Sequence, residues 1–306
     1  QLLLTEGLTL VLGGRVQWAE RSVRSKLAQP SGITGTVEMT ETASGVVHVV
    51  VNAEGVPAGV PLTADDLNHH LARRWLGFGR GGRAKFERDQ VHIYSGVRFS
   101  TTIASPIALR LDNAAYTKDR SGWPEVMAVG GSGKEVEKVT LPRPGHADLV
   151  GVQKYGFDDI RPVIDRSSAR ETAMRVACCS VARQLLKPFG IEIGSHVVRL
   201  GTVGYADSSQ WRARVETLLV EGAEAINRMA DESAVRMLDA DLTARCIDHI
   251  NETKRQGDSL GGVYEVIVTG VPVGLGSYVH WDRRLDGQLA QAILSIQAQK
   301  GVEIGD

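Results

Sequence analysis

Aromatic residues make up only 5% of this 306-residue sequence, and cysteine occurs three times, at Cys178, Cys179 and Cys246. An odd count, with two adjacent thiols inside an apolar helical pattern, excludes a disulfide framework and points to a reducing cytosol, so a cytoplasmic location is expected. Net charge is lacking too: 35 Lys and Arg stand against 36 Asp and Glu, a formal charge of −1. That balance excludes a generic polyanion binder, and no nucleic-acid partner is expected. No uncharged apolar run approaches the ~18 residues of a membrane span. Val46 to Val51, interrupted by His48, has the length of a buried strand. Leu2 to Leu12 is broken by Glu6 and makes a poor signal peptide, and a chain opening on Gln1 is expected to lack part of its N-terminus. Glycine, by contrast, is plentiful at 34 residues, within an ordinary 42% hydrophobic and 23% charged composition. Such a chain buries a substantial core and uses many tight turns or close backbone approaches.

The length suggests two domains or one large one, at about 150 residues each. Residues 1–35 show no clear continuity with the remainder of the chain and are expected to be an appendage, with a single domain over 36–306. A β-branched run from Val46 leads into the turn Glu54-Gly-Val-Pro-Ala-Gly-Val-Pro61, after which Thr63-x-x-Asp66 opens a helix with Leu67 and Leu71 on one face. Val91 to Tyr94 and Ile107 to Leu111 read as strands, and Ala115 to Lys138 as a surface loop or flap. Ser168 to Leu186 has the clearest helical pattern: Ser168-x-x-Glu171 as capping box, a stripe of Met174, Ala177, Val181 and Leu185, and a stop at Pro188 and Gly190. Val197 to Val203 reads as a strand, Trp211 to Lys254 as helical, and Val263 to Thr269 as a strand. Gly270-Val-Pro-Val-Gly274 then repeats the G-V-P-x-G of residues 55–59 before a helix containing Leu285, Leu289 and Ile293. This is either a weak duplication of a strand-turn-helix unit or a coincidence of two Pro/Gly turns. The expected fold class is α+β.

Three segments carry candidate chemistry. Residues 73–88 hold Arg73, Arg74, Arg80, Arg83, Lys85 and Arg88 against Glu87 alone, a net +5, interleaved with Gly77, Gly79, Gly81 and Gly82. Guanidinium forks and closely approaching backbone amides suit a carboxylate or phosphate. A helix precedes these glycines where a dinucleotide fingerprint needs a strand, which excludes that reading, and a solvated basic loop is the alternative to an anion site. In Arg143-Pro-Gly-His146-Ala-Asp148, a histidine in a rigid turn two residues from a carboxylate suits an oriented acid or base, or is merely structural. Arg166-Ser167-Ser168-Ala-Arg170-Glu171-Thr172 places hydroxyls and guanidiniums at a helix N-terminus, a setting for an anionic ligand such as a flavin phosphate. Capping explains Ser168 and Glu171 but not Arg166, Ser167 or Arg170. Gly257-Asp-Ser-Leu-Gly-Gly262 is covered by a Schellman stop and a turn, Ser277 to Asp286 is either functional or a solvated turn, and the histidines lack metal-ligand spacing, so no metal is expected.

Taken in order, these strings resemble the chorismate synthase family: Glu54 to Thr63, Arg73-Arg74 with Gly79-Arg80-Gly81-Gly82-Arg83, Arg143 to Asp148, Lys154-Tyr-Gly156, Arg166 to Ala173, Gly257 to Gly262, and Ser295-Ile-Gln-Ala-Gln-Lys-Gly-Val-Glu-Ile-Gly-Asp306. The resemblance implies a β-α-β sandwich subunit of a homotetramer. It also implies a lyase that eliminates phosphate in a 1,4-anti sense from 5-enolpyruvylshikimate 3-phosphate, giving chorismate for aromatic amino-acid biosynthesis. Reduced FMN is the implied cofactor, with NADPH as a possible reductant and no net redox change. By the family pattern Arg74 and Arg80, with Arg83 beside them, hold substrate or reduced nucleotide. Arg166, Ser167, Ser168, Gln297 and Ala298 match positions that touch FMN, and His146 matches the histidine that protonates the reduced flavin near N1.

The chain also departs from the pattern. Counting back from Glu54, the histidine expected to protonate the departing phosphate falls on Gly45, with His48 three residues away, and Phe99-Ser100 stands where many bacterial members have His-Gly. The sequence ends at Asp306, before the family's Lys-Pro and Arg-Ser-Asp segments, so a C-terminal truncation is expected. Loss of a general acid costs ~10² to 10⁴ in rate, and this chain is expected to be a weak or inactive catalyst. The alternative function is an inactive family member or fragment that retains anion or FMN binding.

Overall fold

The computed structural model describes residues 37–42, 48–53, 55–80, 88–112, 136–168 and 171–305. The expected appendage 1–35, most of the 115–138 excursion, Gly45, Arg83 and Arg170 lie outside the described residues. In chain order the elements are β1 (Val37–Thr42), β2 (His48–Ala53), α1 (Ala64–Ala72), β3 (Val91–Ile93), β4 (Val97–Arg98), β5 (Thr101–Thr102) and β6 (Ile107–Asp112). Then come α2 (Asp148–Tyr155), α3 (Arg161–Arg166), α4 (Glu171–Leu186), β7 (Glu192–Leu200), β8 (Val203–Gly204), α5 (Ser208–Leu219), α6 (Ala223–Glu232), α7 (Ala240–Arg255), β9 (Gly262–Thr269) and α8 (Leu285–Leu294). The class is α+β, as expected.

One antiparallel sheet has the order β1-β2-β6-β3, with His48 in register with Asp112 and Ala53 with Ile107. A second has the order β8-β7-β9. Helices lie against both. Thr63 caps α1 as its spacing predicts: Thr63 Oγ1 accepts from Asp66 N at 3.2 Å, and Asp66 Oδ2 accepts from Thr63 N at 2.9 Å. The apolar face so started, Leu67 and Leu71, joins Met174, Ala177 and Val181 of α4 and Val91, Ile107, Leu109 and Leu111 of the first sheet in one core. The α4 stripe holds as far as Val181. Its last buried position is Leu186 rather than Leu185, and it packs with Ile193 and Val268 of the second sheet. Against β9, Ile267 meets Val215 of α5 and Ile226 and Ala230 of α6. Helix α4 thus contributes to cores on both sides, which is the sheet-helix-sheet sandwich.

The strand expected over Val197–Val203 is a correction: β7 runs from Glu192 to Leu200 and turns at Gly201 into β8. Its first half, Glu192-Ile-Gly-Ser-His, lacks the β-branched run that marks a strand and is held instead by pairing with β9. The stop of α7 is the Schellman motif expected at Gly257: Gly257 N donates to Lys254 O at 3.2 Å and Asp258 N to Thr253 O at 3.1 Å. In the two G-V-P-x-G turns, Gly55 and Gly270 have φ of 84° and 73°, and Gly59 and Gly274 have φ of 93° and 95°. The repeated string therefore has a repeated backbone, between a strand and a helix in both places.

The two layers meet where α6 crosses β7. A Cβ on Gly194 would lie 2.3 Å from the Ala223 carbonyl oxygen, so only glycine lets α6 approach this closely. On that side of β7, side chains take the place of a strand. Asn227 Nδ2 and Arg183 NH1 each donate to Ile193 O at 2.8 Å, Asn227 Oδ1 accepts from Ser195 N at 3.1 Å, and Arg236 NH2 donates to Ser195 O at 2.7 Å. Asn227 Oδ1 also accepts from Arg73 NH2 at 2.9 Å, while Arg73 Nε pairs with Asp231 at 2.7 Å. Arg236 pairs with the same carboxylate. Burial, then the Arg73 and Arg183 charges, push Arg236 down to about 10, still cationic at neutral pH.

The β4–β5 hairpin turns through Phe99 and Ser100 with φ of 50° and 58°, the double left-handed geometry of a type I′ turn that Asn-Gly fits best. Exposed Phe99 gains only the Arg98 guanidinium 4.8 Å above its ring.

This packing leads to two expected outcomes. Asn227→Leu strips partners from Ile193, Ser195 and Arg73 and is expected to cost about 3 kcal/mol in urea unfolding. The double change Phe99→Asn, Ser100→Gly relieves two strained residues and is expected to raise stability by about 1 kcal/mol by the same measurement.

Candidate functional site

The N-terminus of α4 gathers side chains from four stretches of chain. Arg74, just beyond α1, donates through NH1 to Asp89 Oδ2 at 2.7 Å and through NH2 to Thr172 Oγ1 at 3.3 Å. Asp89 is only 4% exposed while Arg74 keeps partial solvent access, so the buried partner fixes the guanidinium at a place a ligand can reach. The glycine-rich segment then docks on the other layer, Phe78 N donating to Ala234 O at 2.7 Å. Exposed Arg80 folds back, its Nε on Leu76 O at 3.0 Å. The basic run is therefore not one uniform anion site. Arg73 is consumed by Asp231 and Asn227, and Arg88 lies 5.1 Å over the Trp75 ring. Arg74 and Arg80 stand closer to solvent, and Arg83 lies outside the described residues.

The second cluster joins the α3–α4 connection to the chain beyond α8. Ser167 Oγ donates to Val163 O at 2.7 Å, and the backbone carbonyls of Ser167 and Ser168 face Gln297. Gln297 Nε2 donates to both, at 3.1 and 3.2 Å, across 130 and 129 residues of sequence. Ala298 follows with φ 67°, a left-handed corner for a residue with a Cβ. Arg166 is 60% exposed and reaches Glu171 only at 3.8 Å. Four of the five cofactor positions taken from the resemblance, Ser167, Ser168, Gln297 and Ala298, thus share one corner, with Arg166 at its rim.

His146 occupies the exposed turn before α2, and among the described residues no hydrogen bond or ion pair joins it to either cluster. Of the two readings of this motif, orientation by the neighbouring carboxylate finds no bond among the described residues, where Asp148 bonds to Arg143 and not to His146. Asp148 is fully buried, and its oxygens accept from Arg143 N at 2.9 Å, Nε at 2.8 Å and NH2 at 2.9 Å. Those bonds hold its carboxyl down to about 2, and the pair shapes the turn that presents His146. His70 on α1 faces Arg183, Arg73 and Lys187. Burial first, then these charges, pull it down to about 3 and keep it neutral. Among the described residues no cluster of His, Cys, Asp or Glu is arranged to hold a metal, and no helix is long and apolar enough to cross a membrane.

Asp89, Thr172, Arg175 and Ser295 are site residues that sequence reasoning does not single out. Thr172 and Ser295 lie inside motif strings, and Arg175 stands four residues after Glu171, yet their partners are 98 to 120 positions away.

Fold and site together define an α+β chain in which arginines and hydroxyls gather at a helix N-terminus, an arrangement whose chemistry suits small anions. The partly open Arg74 guanidinium and the exposed Arg166 suit a phosphate-bearing nucleotide such as FMN as well as a phosphorylated carboxylate. The family model described as chorismate synthase matches residues 39–306. A chorismate synthase of Salinibacter ruber is 68% identical over 256 residues, 83% of this chain and 63% of that one. That of Chlorobaculum tepidum is 54% identical over 82% of this chain and 62% of its own length. A solved structure of chorismate synthase superposes with a TM-score of 0.67 at 35% identity, covering 89% of this chain and 68% of that chain. The chain belongs to the chorismate synthase family, and it spans somewhat under two thirds of the length of the Salinibacter and Chlorobaculum relatives.

The Asp148 carboxyl lies below its ordinary value, so its contribution is complete above about pH 4 and is lost as pH falls toward about 2. Asp148→Asn is expected to lower the urea midpoint at pH 7, with the gap from the unaltered chain closing between about pH 4 and pH 2.

Proposed function

We propose that the chain binds 5-enolpyruvylshikimate 3-phosphate and reduced FMN and eliminates phosphate to give chorismate. The observation that carries this reading is the meeting at the α4 N-terminus of Arg74, through Thr172, and of the Ser167–Ser168 segment, through Gln297. The elimination expels phosphate and a ring proton and leaves a conjugated diene, with no net oxidation. Reduced FMN, when bound, supplies transient electron density to the breaking carbon–oxygen bond. Arg74 and Arg80, with Arg83, hold the carboxylates and phosphate, and neutralise charge as the leaving group departs. Ser167, Ser168, Gln297 and Ala298 orient the nucleotide, with Arg166 beside its negative charge. His146 gives the proton that balances the reduced ring near N1. On the same family likeness the subunit assembles as a homotetramer in the cytoplasm, with NADPH as the source of reducing equivalents.

A second reading, a family member that binds these anions without turnover, is favoured by Gly45 standing at the position of the family's phosphate-side histidine. Phosphate release by the 306-residue chain, assayed anaerobically with chemically reduced FMN, separates the two. The first reading expects slow release, lowered a further ~10²-fold in kcat/KM by Arg74→Gln. Binding of FMN and substrate with no release selects the second reading. Absence of both binding and release overturns both.

A further inference from the structure

Arg175 sits one turn into α4 with its guanidinium divided between two tasks. Nε and NH2 donate to Glu171 Oε1 at 3.2 and 3.1 Å, an ordinary i, i+4 helix pair. NH1 points the other way and donates to Ser295 Oγ at 2.8 Å, across 120 residues of sequence. An i, i+4 helix pair, here largely buried, accounts for Nε and NH2 but for none of that second contact. Ser295 is the residue after the last turn of α8. Its hydroxyl donates its one proton to Ala292 O at 2.7 Å, which leaves its lone pairs for Arg175. Two residues further on, Gln297 donates to the Ser167 and Ser168 carbonyls, and Ala298 makes the left-handed corner. Glu171, the anchor of Arg175, also draws Arg166 toward the same place.

We propose that Arg175 is a positioning residue for this corner: through Ser295 it fixes the end of α8, and so sets Gln297 and Ala298 against Ser167 and Ser168. It acts on the nucleotide without touching it, and this rests on the proposed role of the corner as the FMN site. Lysine in its place keeps one charge for Glu171 but lacks the planar fork that serves Glu171 and Ser295 together.

The test uses the 306-residue chain with Arg175→Lys, Ser295→Ala and Ser295→Thr, the last keeping the hydroxyl. Amide hydrogen exchange without flavin reads the corner, fluorescence titration with FMN reads affinity, and thermal melting reads overall stability. Arg175→Lys and Ser295→Ala are expected to speed exchange at residues 167–168 and 295–299, and to weaken FMN binding, each by about tenfold. Little change in melting and a Ser295→Thr variant close to the unaltered chain complete the expected pattern. Unchanged exchange, or affinity that falls only in step with melting, overturns the inference while leaving flavin binding intact. If the unaltered chain binds no FMN, the flavin reading falls, and exchange at the corner alone upholds or overturns the positioning role.

Discussion

Between Ile193 and Val197 one side of β7 has no neighbouring strand among the described elements, and buried amides and carbonyls left there would each cost as much as a lost hydrogen bond. Asn227, Arg183 and Arg236 fill that edge from the helices and the chain beside them. Because Asn227 is also the partner of Arg73, the same amide that completes the sheet fixes the far end of α1. The course of the chain from Arg74 to Arg80 is therefore set by how a strand in the opposite layer satisfies its backbone. Gly194 is the steric half of this constraint and Asn227 the polar half.

Concentrating three guanidiniums at the junction is tolerable only with acids between them. Asp231 serves Arg73 and Arg236, and Glu224 accepts from Arg183 at 2.8 Å. Breaking such a set from one side leaves charge without compensation in a partly desolvated place, which is more damaging than never having built it. The adjacent Arg73 and Arg74 consequently belong to different worlds: one is locked into the layer junction, the other is braced by Asp89 yet still partly open to a ligand.

Local signals were legible in the sequence because their physics is local. The Thr63–Asp66 capping box, the Met174–Ala177–Val181 stripe and the Gly257 stop each involve residues within a few positions of one another. The start of β7 was not legible, since Glu192-Ile-Gly-Ser-His owes its extended form to β9 and to Asn227. Nor could the run 73–88 declare which arginine faces Asp231, as periodicity does not separate Arg73, whose partners lie 154 and 158 residues away, from Arg74, whose partners lie 15 and 98 residues away. Proximity in sequence misled once: Asp148 lies two residues from His146, but Arg143 offers it three donors. Helix-start chemistry marks Ser167 and Ser168, whereas only the family resemblance, and no spacing, adds Gln297 and Ala298 to them.

The first turn of α4 carries Thr172, which touches the Arg74 side, next to Glu171, which anchors the Arg175–Ser295 side. Two ligands bound through adjacent residues of one rigid helix are not independent in energy. Whatever factor the first applies to the affinity of the second, the second must return to the first, because both routes to the doubly occupied protein end at the same free energy. Under the proposed function α4 would be the shared mounting for both ligands, so the size of that factor would be read at its first turn, while the order of filling would be a matter of kinetics.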